Sequence, residues 1–515
     1  MKAKKVLSSV MACLMTFSVV GASACGGGGG GGDAGTPSDL TISFWKAGWG
    51  EQYMRDTVEA FKLAYPNYNV DYQPTTNGFM FSETIELGAE MNPIDLYIGS
   101  FMMTPYDELT EPLNSLYQEK CYGENITLAD KLGASTVEGM RHRDGNIYGV
   151  PEPSSGYVGL IYNADIIGEG TDYEIPVTTD ELELLVSDLS YDPELDEVYP
   201  FIHYGQGDYW KRVYEQWWIQ YDGLDAYYDF IALKDENGNT PSKDVILAED
   251  GRYEAVKVLE TIVSKDTVYP GSNKLEYQQA QTLFMNGASV MMANGNWLIN
   301  EMKSNTEATT KNLLIMRTPV ISALIDKLTS VEDDAELAAV IRKMDEDLAF
   351  GRGGALTGDG FDITKEDYDR IYEARYIGAP GSDTSLFVIP EYSTAKEAAK
   401  DFIKFAFSDE QLKKKSQTLH MDCSLPGSNF TVDTTGWSAF EICAKELGKS
   451  TISVLGEAVG IKSNLFTAGG LTVWYSSPIV ALCQEESLTA ETYWESLIRY
   501  YNNKWDEAVR NAAAV

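Results

Sequence analysis

Trp45 and Trp49 stand just past the first strand-like stretch of this chain, and Trp297 follows the turn pair Asn294-Gly295. Tyr209-Trp210 and Trp474-Tyr475 add two aromatic pairs. An aromatic face covers the C–H surface of a polar ring, while indole N–H and phenol O–H groups at its edge stay available for hydrogen bonds. Asp95, Glu152 and Asn294 supply the polar fringe that hydroxyl groups need. These types suit non-covalent capture of a hydroxyl-rich solute. Each has a plainer reading beside it: Trp45 and Trp49 fit a core as well as a cleft, Glu152 fits a solvated turn, and Asp95 fits a cap on a neighbouring turn. His203 shares the aromatic polar loop of Tyr209-Trp210. Trp217-Trp218, at helical spacing with Val213 and Tyr221, read as core.

Metal and nucleophilic chemistry have little material. The three histidines, His142, His203 and His420, are far apart in sequence. Cys121, Cys423, Cys443 and Cys483 lack CxxC spacing, which argues against a zinc knot or a redox pair. Cys423 and Cys443 read as buried thiols, a disulfide between them being the other option for an exported chain. Gly448-Lys449-Ser450-Thr451 imitates the end of a phosphate loop, but the leading glycine position holds Cys443 and a helix-like stretch precedes it. Gly351 to Gly360 and Asp235 to Asn239 read as surface turns. Neither cofactor nor metal is expected. Carboxylates are plentiful enough for a glycosidase pair, so a secreted carbohydrate-active enzyme stands as the alternative class.

The formal net charge is −38 over 515 residues. Such a field repels phosphate backbones, so nucleic acid is not an expected partner. Lys2, Lys4 and Lys5 precede the apolar run Val6 to Val20 and the small residues Ala22-Ser23-Ala24. That order marks residues 1–24 as an export signal, and losing its lysines leaves the remainder more negative still. Cys25 and Gly26 to Gly32 follow, and residues 25–38 have the make-up of a flexible tether. The thiol placed after small residues resembles a bacterial lipobox, with Ala22 departing from the usual leucine. Cys25 is therefore expected to carry lipid and to be the membrane attachment; a plain cut that leaves a free thiol is the other option.

Several elements can position these side chains. Leu40 to Phe44 reads as a strand, Met54, Thr57, Val58, Phe61 and Tyr65 as one helical face ended by Pro66, and Asn69 to Tyr72 as a second strand. This βαβ opening predicts an α/β fold with a parallel sheet. Ile94 to Ile98 and Gly159 to Tyr162 read as further strands, with the turn-rich Glu152 to Gly156 crossing between domains. Thr178 with Glu181 and Thr394 with Glu397 form capping boxes. Val256 to Val263 and Tyr493 to Val509 are helical, and about 329–381 reads as an inserted helical segment.

Taken in order, these pieces resemble family 1 extracellular solute-binding proteins, the receptors of ABC importers that include the maltodextrin-binding protein. The carrying strings are Ile42-Ser43-Phe44-Trp45, Asn92-Pro93-Ile94-Asp95-Leu96, Asp144 to Pro151, Leu160 to Asp165, Phe284 to Met291 with Asn294 to Trp297, and Val388-Ile389-Pro390 through Phe402. The resemblance implies a two-lobed periplasmic-binding-protein-like fold, its ligand cleft between lobes joined by crossing strands. It places 39–153 and 318–422 in lobe 1, with the 329–381 insertion, and 154–317 and 423–515 in lobe 2. It implies a monomer that binds a carbohydrate, an oligosaccharide above all, and delivers it to permease subunits from the outer face of a Gram-positive cell membrane. It also implies that Trp297 is presented to the ligand and that Trp474-Tyr475 stacks on a sugar unit. A non-sugar cargo such as glycerol phosphate or a polyamine is the variant reading.

Overall fold

The computed structural model describes residues 38–512 apart from 101–103, 143, 154–155, 206, 233–241, 244–246, 248–249, 304, 306–311, 350–356, 359–360, 381–384, 455–463, 468 and 485–487. Cys25, its glycines and the Asp235–Asn239 turn lie outside the described residues, as does nearly all of the Gly351–Gly360 loop.

Residues 38–515 form one unit built on two main sheets. The first opens as expected: β1 (Ser38–Trp45), the helix Gln52–Ala64 and β2 (Tyr68–Thr75), the strands pairing in parallel. Met54, Val58 and Phe61 are buried along one helical face, the spacing that lets a helix cover a sheet. β3 (Leu96–Ser100) joins β1 in parallel. β4 (Val150–Pro151) and β5 (Val158–Asn163) flank the first crossing, and β5 opens the second sheet. That sheet also holds β6 (Tyr199–Phe201), β7 (Ser289–Gly295) and β8 (Leu313–Met316), in the order β6-β7-β5-β8. A small hairpin of β9 (Thr357–Gly358) and β10 (Phe361–Asp362) follows. β11 (Ser385–Val388) then returns to the first sheet, antiparallel to β3 and β4, giving the order β2-β1-β3-β11-β4.

Each sheet carries its own core. Leu40, Ile42, Phe61, Leu96, Val388 and Phe402 belong to the first. Along β5 the side chains alternate, as the pleat requires: Leu160 and Tyr162 face the large core that holds Trp217, while Ile161 faces a smaller one with Phe284 and Ile315.

Two expectations change here. The described core residues of 318–380, a stretch assigned to lobe 1 with the insertion, pack into the second lobe's core. Ile321, Leu337, Ile341, Met344 and Ile371 all join Trp217 there. The Trp217 indole N–H donates to the Pro319 carbonyl at 3.1 Å, and Gln220 accepts from the Ile321 N–H at 2.9 Å. The apolar face of the helix Asp334–Ala349 needs a partner surface, and lobe 2 supplies it. Downstream, Cys423 still belongs to the first core, so that lobe runs past residue 422.

The second change concerns caps. Thr178 caps the helix Thr179–Tyr191 as expected, accepting from the Glu181 N–H. Thr394 does not cap the helix Lys396–Ala406, whose N-cap is Ala395. Ser393 turns the chain there: its hydroxyl accepts from the Ala395 N–H and donates to Asp95 at 2.7 Å.

Candidate functional site between the sheets

In parallel sheets the loops at the carboxyl ends of strands gather at one edge and form the place where ligands settle. Trp45 ends β1, and the loop Lys46–Glu51 follows. Asn296 and Trp297 follow β7. His203 and Tyr204 follow β6, with Tyr209 in the first turn of the helix Asp208–Asp222. These three loops, from two sheets, come together.

Trp49 meets Trp297 edge to face, with ring centroids 5.9 Å apart and planes at 74°. The Trp297 N–H donates to the Tyr209 hydroxyl at 3.0 Å, and their rings are 5.9 Å apart. Tyr204 continues the wall, T-shaped to both Tyr209 and Tyr277. The Trp297 ring lies across Gly295 so closely that a Cβ there would overlap it, hence glycine before this tryptophan. Trp45 is half-buried beside the same edge, with the loop after β2 folded on it at Gly78.

Glu301 sits one helical turn beyond Trp297, its N–H donating to the Trp297 carbonyl at 2.9 Å. Its carboxylate accepts from the Gln281 amide at 2.6 Å and lies against Gly48 of the β1 loop, where a Cβ would come 2.9 Å from its carboxyl carbon. Burial pushes the Glu301 carboxyl up to about 7. Burial, and then the Glu301 charge, also raises the Tyr209 and Tyr277 hydroxyls. Gly48, Tyr204, Tyr277, Gln281 and Glu301 were not among the residues singled out from sequence. For Glu301, its position four residues after Trp297 on a helix was an available signal.

The other expected residues go elsewhere. Asp95 immediately precedes β3, at the amino edge of the sheet, where it accepts from the Thr41 N–H at 2.9 Å and from Ser393. Glu152 is buried: one carboxylate oxygen accepts from both Lys415 and Tyr53 at 2.8 Å, and Lys415 also donates to the Pro153 carbonyl. Trp210 is 1% exposed and packs edge-on against Phe201 in the core. Asn294 is fully buried, and its side-chain oxygen accepts from the Gly295 N–H. Trp474 packs among Tyr214 and Trp218 with its N–H on Glu215, while Tyr475 is exposed beside Tyr493 and Tyr500. A tryptophan in a well-filled interior is held there by apolar area, whatever its neighbour in sequence.

Cys121, Cys423, Cys443 and Cys483 are free thiols. Gly448-Lys449 closes the helix Ala439–Lys449, and the hydroxyls of Ser450 and Thr451 accept from Arg317. A phosphate loop leads into the amino end of a helix, whereas this segment ends one, so it is not a phosphate loop. Among the described residues no helix is long and apolar enough to cross a membrane.

The family model of bacterial extracellular solute-binding proteins matches residues 106–429. No curated protein sequence matches the chain. Among solved structures the chain is similar to AcbH, a bacterial solute receptor with an exclusive substrate preference for β-D-galactopyranose, at 14% identity and a TM-score of 0.60, over 93% of this chain and 99% of that one. A chitin oligosaccharide binding protein aligns at 16% identity and a TM-score of 0.55, over 91% and 99%. Maltose-bound MalE3 of T. maritima aligns at 15% identity and a TM-score of 0.55, over 90% and 99%. At these identities the likeness is one of fold.

Proposed function

The chain belongs to the bacterial extracellular solute-binding proteins, and on that basis we propose that it captures a carbohydrate, an oligosaccharide above all, for an ABC importer. The observation that carries this reading is the Trp49–Trp297–Tyr209 wall, which joins loops of both sheets. Aromatic faces take the C–H surfaces of sugar rings, and the polar edges of the wall take hydroxyls. The structural relatives named for galactopyranose, chitin oligosaccharide and maltose support the same cargo class.

The protein binds its cargo without converting it. The reading follows the family, whose members are binding proteins. Closure of the lobes over the sugar is the signal passed to the permease. Lipid on Cys25 holds the receptor, a monomer, at the outer face of the membrane.

Calorimetry against a broad glycan panel tests the reading. A saturable heat for one family of sugars, with no product on prolonged incubation, is the expected result. Silence across all glycans alongside binding of glycerol phosphate or a polyamine would overturn the cargo, and product formation would overturn the receptor role.

A further inference from the structure

Gly48 and Glu301 face each other across the line between the lobes, next to the Trp49–Trp297 contact. Gly48 belongs to the loop after β1, and Glu301 to the short helix Leu298–Met302 after β7. The carboxylate occupies the space into which any Cβ on Gly48 would project. Among the described residues no cation pairs with it. Lys46 on the facing loop and Lys303 next to Glu301's helix are exposed. Glu51 on that loop pairs with Arg55 at 3.2 Å. Arg212, on the helix that carries Tyr209, donates to the Pro380 carbonyl. Tyr209 and Tyr277 face it as neutral hydroxyls, and among the described residues the amide of Gln281 is its one side-chain hydrogen-bond donor.

We propose that Glu301 is a proton-linked latch: closing the lobes seats its carboxyl against Gly48, away from water, so closure takes up a proton. The inference rests on the capture reading for its consequence, which is pH-dependent retention of cargo. An exposed carboxyl ionises in the ordinary range, near 4.5, whereas with the two loops in contact, as here, burial holds it near 7. A group whose affinity for protons rises on closing favours the closed form at low pH, and that advantage fades as pH rises through about 7. Glutamine at 301 keeps the shape and the Gln281 contact while removing the charge.

The test needs no cargo, so its outcome is separate from that of the glycan panel. Small-angle X-ray scattering and an interlobe spin-label distance, with labels at the exposed Leu63 and Tyr191, are followed from pH 5.5 to 8.5. For the unmodified chain the ratio of closed to open form should fall about tenfold between pH 6 and pH 8. Glu301→Gln should hold the closed fraction constant over that range. Gly48→Ala, which puts a methyl group in the seat of the carboxyl, should turn Glu301 out toward water and shrink the pH response. A closed fraction that ignores pH, or a pH response that survives Glu301→Gln, overturns the proposal.

Discussion

Lys415 and Glu152 meet at 2.8 Å where the chain first leaves one lobe for the other, the carboxylate 6% and the ammonium-bearing side chain 9% exposed. The same carboxylate oxygen accepts from Tyr53, whose ring lies 4.8 Å beneath the ammonium, and burial followed by Glu152 pushes the Tyr53 hydroxyl well up. Replacing one member of such a pair strands the other in a dry interior. Lys415→Met should therefore cost about 3–5 kcal/mol in urea unfolding. The double change Lys415→Met with Glu152→Gln should recover part of the loss; full additivity would show that the pair does not brace the crossing.

Trp297 and Trp474 have the same side chain in opposite settings. Trp297→Ala should weaken sugar binding by at least about 30-fold, as loss of an anchoring aromatic does, and leave the melting temperature nearly unchanged. Trp474→Ala empties a place in the core beside Tyr214 and Trp218, so it should lower stability by about 3–5 kcal/mol. Calorimetry and thermal unfolding on both variants check the contrast, and a reversal of the two effects would move the site.

Much of this arrangement could be read in advance, and the exceptions share a cause. The βαβ opening and the crossing after Val150-Pro151 emerged because period, cap and turn signals are local. Asp95 lies just before β3, which begins at Leu96, and its carboxylate is taken up by the Thr41 N–H and the Ser393 hydroxyl, tertiary partners that sequence spacing does not show. Trp210 and Trp297 look alike in sequence, and only tertiary packing separates them. The spacing from Trp297 could have pointed to Glu301, but its burial against Gly48, distant along the chain, could not be read locally.

Acid should act through Asp345. Burial alone would raise its carboxyl, but Arg375, bound at 2.7 Å, together with the Tyr376 hydroxyl, holds it below the ordinary carboxylate range. A depressed carboxyl contributes stability that is complete above its unfolded value, near 4, and is lost as pH falls through its folded one. The part of the unfolding midpoint that Asp345 supplies should thus hold steady from pH 7 to about 5 and drop below about 4. Asp345→Asn should lower it at neutral pH and flatten the acid limb; an unchanged limb would assign acid lability to other groups.

The free thiols give a chemical probe. Burial pushes the Cys423 thiol up to about 12, and a thiolate is the reactive species. Alkylation at pH 8 should leave Cys423 unmodified until denaturant is added, as mass spectrometry of the digest would show. Ready labelling of the native chain would contradict its place in the first core.

Cys25 provides the last check. Metabolic labelling with fatty acid should mark the protein, and Cys25→Ala should release it into the medium. A variant that stays with the membrane fraction would refute the anchor while leaving the glycan measurements intact.

The segment 318–380 lies wholly between the first and second passages of the chain from lobe to lobe, and it both enters and leaves through the second-lobe core. It thereby enlarges one jaw without adding a strand to the pivot. Such a segment can grow, shrink or acquire a new surface over evolutionary time while the stroke of the jaws stays the same.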